Sequence, residues 1–150
     1  MDELEIRAAR REDIARLIPL YEWLFAPPGS QPAQWDARRA EAALAQAIDS
    51  HDACVLVADD AGELAGICTG YLDIHSVRFG FRVWVEDLAV DPGRRSQGIG
   101  KMLLEAAKRW ARARGATHLE LDSAEARTGA HRFYERERPS WRSISYTWEL

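Results

Sequence analysis

A chain of 150 residues, 47% of them hydrophobic, can bury one core, and nothing in its composition divides it, so a single domain over residues 1–150 is expected. Its net charge of -4 argues against a broad nucleic-acid-binding surface, and no apolar run approaches the roughly 20 residues that a membrane helix needs. Met1-Asp2-Glu3-Leu4-Glu5 lacks the basic start and apolar core of a secretory signal, so a cytoplasmic protein without membrane or nucleic-acid partners is expected.

Residues 4–7 read as a first strand. Arg11-Glu12-Asp13 then opens a helix in which Ile14, Leu17, Ile18 and Tyr21 recur at helical spacing. Ala26-Pro27-Pro28-Gly29-Ser30-Gln31-Pro32 breaks it. Trp23, Phe25 and Trp35 flank this break with groups that need burial, which makes it a loop inside the domain. A second helix is expected over 34–48. Strands over 53–58 and 64–72 are joined by Asp59-Asp60-Ala61-Gly62, a turn by composition.

The next strand, over 81–90, carries a phase slip. Val83 and Val85 are apolar at odd positions, Leu88 and Val90 at even ones. Strand side chains alternate with period two, so one extra residue, a β-bulge, produces such a slip. A central strand buried on both faces, as Trp84 and Ala89 allow, is the alternative. A helix starts near Gly98 and ends at Gly115, with Ile99, Leu103, Ala106, Trp110 and Ala113 as its apolar stripe. A strand over 118–121, a helix over 124–138 and one or two strands over 141–148 close the chain.

Between the slipped strand and that helix stands Arg94-Arg95-Ser96-Gln97-Gly98-Ile99-Gly100-Lys101. Two glycines allow close backbone approach, and the first N–H groups of a helix lack partners inside it, so together they suit an anion. A P-loop requires Gly-Lys followed by Ser or Thr, but Met102 follows Lys101. A dinucleotide fingerprint requires a third glycine where Leu103 stands. The surrounding segment from Pro92 to Gly115 holds seven basic residues against one acid, Glu105, which leaves the rest of the chain acidic. Cys54 and Cys68 lack metal or redox spacing and read as buried thiols, and the four histidines are scattered, so no metal is expected.

Arg95-Ser96-Gln97-Gly98-Ile99-Gly100 fits the pattern [QR]-x-x-G-x-[GA] and resembles the acetyl-CoA pyrophosphate loop of the GNAT family of N-acetyltransferases. The order of elements is similar to that family over essentially the whole chain and least so in the last 15 residues. The resemblance implies an α/β (α+β) fold, a central mixed sheet with a bulged strand flanked by about four helices. It implies acetyl-CoA or coenzyme A as cosubstrate, lined by Leu88, Ala89, Val90, Arg95, Ser96, Gln97, Gly98, Ile99, Gly100 and Lys101. It also implies Tyr134 as the acid that protonates the coenzyme A sulfur, and an oxyanion donor in the amide near Leu88.

Acetyl transfer to an amine further needs a proton acceptor. Glu86 is the candidate, directly or through water, with Asp87 as its rival. Arg127 stands where the family often has Asn, and Arg138-Pro139 where it often has Gly-Phe; both departures bear on the acceptor side. There Tyr21, Trp23, Phe25, Trp35, Trp141, Tyr146 and Trp148, with Glu22, Asp36 and Asp73, suit a small cationic amine, polyamine-like or aminoglycoside-like. A protein lysine or N-terminus as acceptor, and a non-catalytic acyl-CoA sensor, are the other readings. A homodimer is compatible with all of them.

Overall fold

The structure, a computed structural model, describes residues 3–150; Met1 and Asp2, which open the acidic start noted above, lie outside the described residues. Five strands form one mixed sheet in the order β1 (Leu4–Ala8), β2 (Ala53–Asp60), β3 (Glu63–Ser76), β4 (Gly80–Val90) and β5 (His118–Glu120). Neighbours are antiparallel except β4 and β5, which are parallel. A parallel pair needs a crossover, and α4 (Ile99–Ala113) supplies it.

The helix expected after Arg11 is broken. Short 3-10 turns at Arg11–Asp13 and Ile18–Tyr21 alternate with α1 (Ile14–Leu17) and α2 (Glu22–Phe25), and Pro19, which has no N–H to donate, lies in the second turn. α3 (Ala37–Asp49) starts later than expected because Asp36 is its N-cap, accepting from the amides of Arg38 and Arg39. α5 (Thr128–Arg136) is shorter than expected.

The sheet carries a buried cluster on each face. One joins Val55, Val57, Ile67 and Ala89 to Leu17, Leu20, Leu44 and Ala47 of the N-terminal helices. The other joins Leu56, Cys68 and Val85 to Ile99, Leu103 and Ala107 of α4. The buried stripe of α4 runs through Ile99, Leu103, Leu104, Ala107 and Ala111, while Ala113 is exposed. The expected stripe was therefore rotated at its C-terminal end.

The expected final strands do not form: residues after α5 have no regular structure, and Ile144, Tyr146, Trp148 and Leu150 are each at least 74% exposed. A strand exists through its ladder, and no strand of the described sheet pairs with this segment.

One buried charge network fastens the N-terminal helices to the sheet edge. Asp13 is 1% exposed; its carboxylate takes two hydrogen bonds from the Arg7 guanidinium, at 2.8 and 3.0 Å, one from Arg16 at 2.6 Å and the Arg10 amide at 2.7 Å. Arg7 also holds Asp59 of β2 at 2.9 Å. The Arg7 hydrogen bonds, first of all, hold the Asp13 carboxyl far below the usual carboxylate range. Removing one member of such a set leaves a charge uncompensated, so Asp13→Ala should destabilise the fold by about 3–5 kcal/mol in urea unfolding. Because the native pKa is depressed, the wild-type contribution is full above the ordinary carboxylate value of about 4 and fades as the pH falls below it. The mutant should lose less stability over that acid range.

Candidate active site

The site begins where β4 parts from its neighbours. Thr69 of β3 stands opposite Asp87 and Gly70 opposite Val85, so Glu86 is the unpaired extra residue of a bulge. On the other side β5 pairs only with Arg82, Val83 and Trp84. From Val85 to Val90 no strand of the described residues flanks β4 there, so one edge of its backbone is open, the kind of edge that an extended ligand can pair with. The bulge also sets the side-chain directions. Val85 before it and Leu88 and Val90 after it all pack toward α4, whereas Ala89 packs toward the N-terminal helices. Leu88 and Val90 are partly buried and Ala89 is 6% exposed, so their accessible groups are mainly backbone.

The glycine loop lies at the end of this opening. Asp91 Oδ1 accepts from the Gly93 amide at 2.9 Å and turns the chain, and Arg94 is fixed to Asp60 at 2.9 Å. Ser96 (φ 67°) and Gly98 (φ 82°) are left-handed, a conformation that glycine adopts without strain. Gly98 is the N-cap of α4 and has no side chain to satisfy the first amides, which remain available to an anion. Arg95, Ser96, Gln97, Gly98 and Lys101 are exposed, and neither Arg95 nor Lys101 has an acidic partner among the described residues. Gly100 is partly buried, and Ile99, 1% exposed, anchors the helix start in the core.

α5 docks on this helix start. Phe133 lies against Gly100, and Tyr134 packs beside Phe133 with ring centroids 5.2 Å apart. Burial pushes the Tyr134 phenol up to about 12, Cys68 adds to the rise and Arg127 opposes it. The phenol is therefore protonated at neutral pH. Arg127 also donates to the Leu24 carbonyl at 2.8 Å, tying the start of α5 to the end of α2. Among the described residues, no hydrogen bond links Tyr134 to Glu86 or Asp87.

The two candidate carboxylates are differently placed. Glu86 is exposed and accepts from Trp84 Nε1 at 2.9 Å. Asp87 is half-buried; its Oδ2 accepts from the Tyr21 hydroxyl at 2.9 Å and from Thr69 Oγ1 at 2.8 Å, and burial raises its pKa. Of the acids first considered for the acceptor, Asp36 caps α3, Asp73 is bound by Arg82 at 2.8 and 3.0 Å, and Glu22 is exposed. The aromatic wall is partly assembled, since Tyr21, Phe25 and Trp35 form mutual contacts with centroids 4.8–6.5 Å apart. Trp141, Tyr146 and Trp148 stand exposed on the C-terminal segment, away from that cluster. Thr69 was not anticipated; as the one hydroxyl in the buried run from Gly66 to Gly70, it carried a readable signal. An open cavity of about 1340 Å³ between the end of α4, β5, α5 and the C-terminal segment meets the site only at Tyr134.

The sequence profile of the acetyltransferase (GNAT) family matches residues 16–138. The chain belongs to this family. The uncharacterized N-acetyltransferase YhfO of Bacillus subtilis is 32% identical over 134 residues, 88% of this chain and 87% of that one. The streptothricin acetyltransferase of Streptomyces lavendulae is 35% identical over 71 residues, 47% of this chain and 38% of that one. Among solved structures, the aminoglycoside N-acetyltransferase AAC(6')-Iy in complex with a bisubstrate analog has a TM-score of 0.80 at 18% identity, covering 98% of this chain and 99% of that one. The soil-metagenome aminoglycoside acetyltransferase meta-AAC0020, solved with sisomicin, has a TM-score of 0.79 at 20% identity and covers 99% and 97%. These two share the fold.

In this N-acetyltransferase the position of the loop depends on how closely α4 lies on the sheet. A Cβ at Gly66 of β3 would fall 2.8 Å from Leu103 Cδ1, 3.1 Å from the Ala89 carbonyl oxygen and 3.3 Å from Ile99 Cγ2. Overpacking there forces the helix outward. Gly66→Val should destabilise the protein by about 1–3 kcal/mol in denaturant unfolding. An unchanged midpoint would show that α4 does not need the bare backbone.

Proposed function

We propose that the enzyme transfers the acetyl group of acetyl-CoA to a primary amine of a small cationic molecule, polyamine-like or aminoglycoside-like. The observation that carries this reading is the opening beside residues 85–90 of β4, with an uncapped, cationic helix start at one end and a bulge bearing two carboxylates at the other. The pyrophosphate fits the amides of Gly98, Ile99 and Gly100 with Arg95 and Lys101 beside them, and Ser96 and Gln97 on the rim. The pantetheine arm fits the free edge at Leu88, Ala89 and Val90. The names of the aminoglycoside and streptothricin acetyltransferases among its likenesses support a small-molecule acceptor.

The chemistry follows from the groups present. The acceptor ammonium gives a proton to Glu86, which is exposed and passes it to water. The free amine attacks the thioester carbon and forms the C–N bond while the carbonyl electrons move to oxygen, where the amide near Leu88 donates to the oxyanion. The C–S bond then breaks, the Tyr134 hydroxyl protonates the departing sulfur, and the phenol regains a proton from the acetylated nitrogen.

Thiol release with acetyl-CoA and a panel of amines tests the reaction directly. Polyamines or aminoglycosides should turn over, and no release with any cationic amine would refute the reading. With the best amine, Tyr134→Phe should lower kcat by about 10² to 10⁴ with coenzyme A affinity nearly unchanged, because acid help acts only in the transition state. Full kcat in that variant would assign the proton to another group.

A further inference from the structure

The protein half-buries or buries two aspartates that matter to its architecture, and it treats them in opposite ways. Asp13 receives two guanidinium groups. Asp87 receives none: no Lys, Arg or His nitrogen forms an ion pair with it among the described residues, and its two hydrogen-bond donors are neutral hydroxyls, both on Oδ2. Oδ1 accepts no hydrogen bond from the described residues. Withdrawal from water favours the neutral acid, and a cation placed beside this carboxylate would offset that cost and hold it ionised.

The surroundings favour the same conclusion. Glu86 is adjacent and also negative, and both carboxylates act on the phenols of Tyr21 and Tyr71, raising their pKa values after burial has done so. Tyr21 in turn leads into the Phe25 and Trp35 rings, whose faces attract cations. Thr69, 1% exposed, and Tyr21 fix the carboxylate through Oδ2, and both of their hydrogen bonds fall on that one oxygen.

Resting on the acetyltransferase reading above, we propose that Asp87, held by Tyr21 and Thr69, is the counter-ion that receives the ammonium of the acceptor and thereby selects a cationic amine. Asp87 binds; the exposed Glu86 beside it exports the proton. The aspartates first considered for this task, Asp36 and Asp73, are committed to a helix cap and to Arg82.

The test uses the full chain saturated with coenzyme A and titrated calorimetrically with spermidine and with putrescine. Asp87→Asn keeps the shape of the side chain and removes its charge. It should weaken polyamine binding more than tenfold while coenzyme A affinity stays within twofold. Tyr21→Phe, which removes one of the two donors, should weaken it about threefold and serves if Asp87→Asn does not fold. In turnover, Asp87→Asn should raise KM for a polyamine much more than it lowers kcat. Unaltered polyamine affinity in the variants, an equal loss of coenzyme A and polyamine affinity, or a wild type that binds neither polyamine would overturn the proposal. Wild-type binding that depends on Asp87 without any acetyl transfer would instead remove the enzymatic reading and leave this site standing.

Discussion

Because Glu86 has no opposite number on β3, the two halves of β4 are out of phase by one residue, and that shift decides what each later side chain faces. Val85 and Leu88 both reach the α4 core although they are three positions apart, an interval that a regular strand would send to opposite faces. Asp87, two positions after Val85, would without the bulge point at α4 and its apolar residues. With it, Asp87 shares the face of Ala89 and meets Tyr21 from the N-terminal helices and Thr69 from β3. The same extra residue lies where β4 leaves β5, whose pairing stops at Trp84. One inserted residue thus coincides with the end of the β5 pairing and turns the Asp87 carboxylate toward Tyr21 and Thr69.

The two ends of the opening are fixed by different physics. The loop end rests on packing: Ile99 and Leu103 are buried to within 1% of their surface, and the bare backbone of Gly66 lets α4 lie close to β3. The bulge end rests on polar contacts and aromatic rings, with Tyr21 joining Asp87 to the Phe25 and Trp35 pair. Packing gives a fixed platform for backbone amides, and hydrogen bonds fix the direction of the Asp87 carboxylate.

Local signals in the sequence were legible, and long-range ones were not. The phase slip between Val85 and Leu88 located the bulge because strand periodicity is a property of adjacent residues. The glycine loop announced itself through Gly98 and Gly100, and Asp59-Asp60-Ala61-Gly62 through its turn composition. Three features escaped. The Asp87 cluster joins residues 66 and 18 positions apart, which no window of sequence connects. The N-terminal helix broke into 3-10 and α pieces although its apolar spacing was helical, since spacing reports which face is buried and not the hydrogen-bond ladder. One or two strands were expected over 141–148, but a local stretch of sequence cannot supply a pairing edge, and Ile144, Tyr146 and Trp148 stand in solvent.

The same distinction explains α5. With nine residues, none of them fully buried, it is too short to be stable by itself and takes its place from contacts to other elements. Phe133 sets one of them against Gly100 at the start of α4, and Arg127 sets another on the Leu24 carbonyl at the end of α2. These anchors lie at the two ends of the site, the loop that suits an anion and the helices that carry the aromatic rings. Tyr134 follows Phe133 on the same short helix, and the two rings pack together. Arg127, a departure from the residue that the family often has, therefore has a structural role here: its guanidinium spans from α5 to α2 and its charge bears on the Tyr134 phenol.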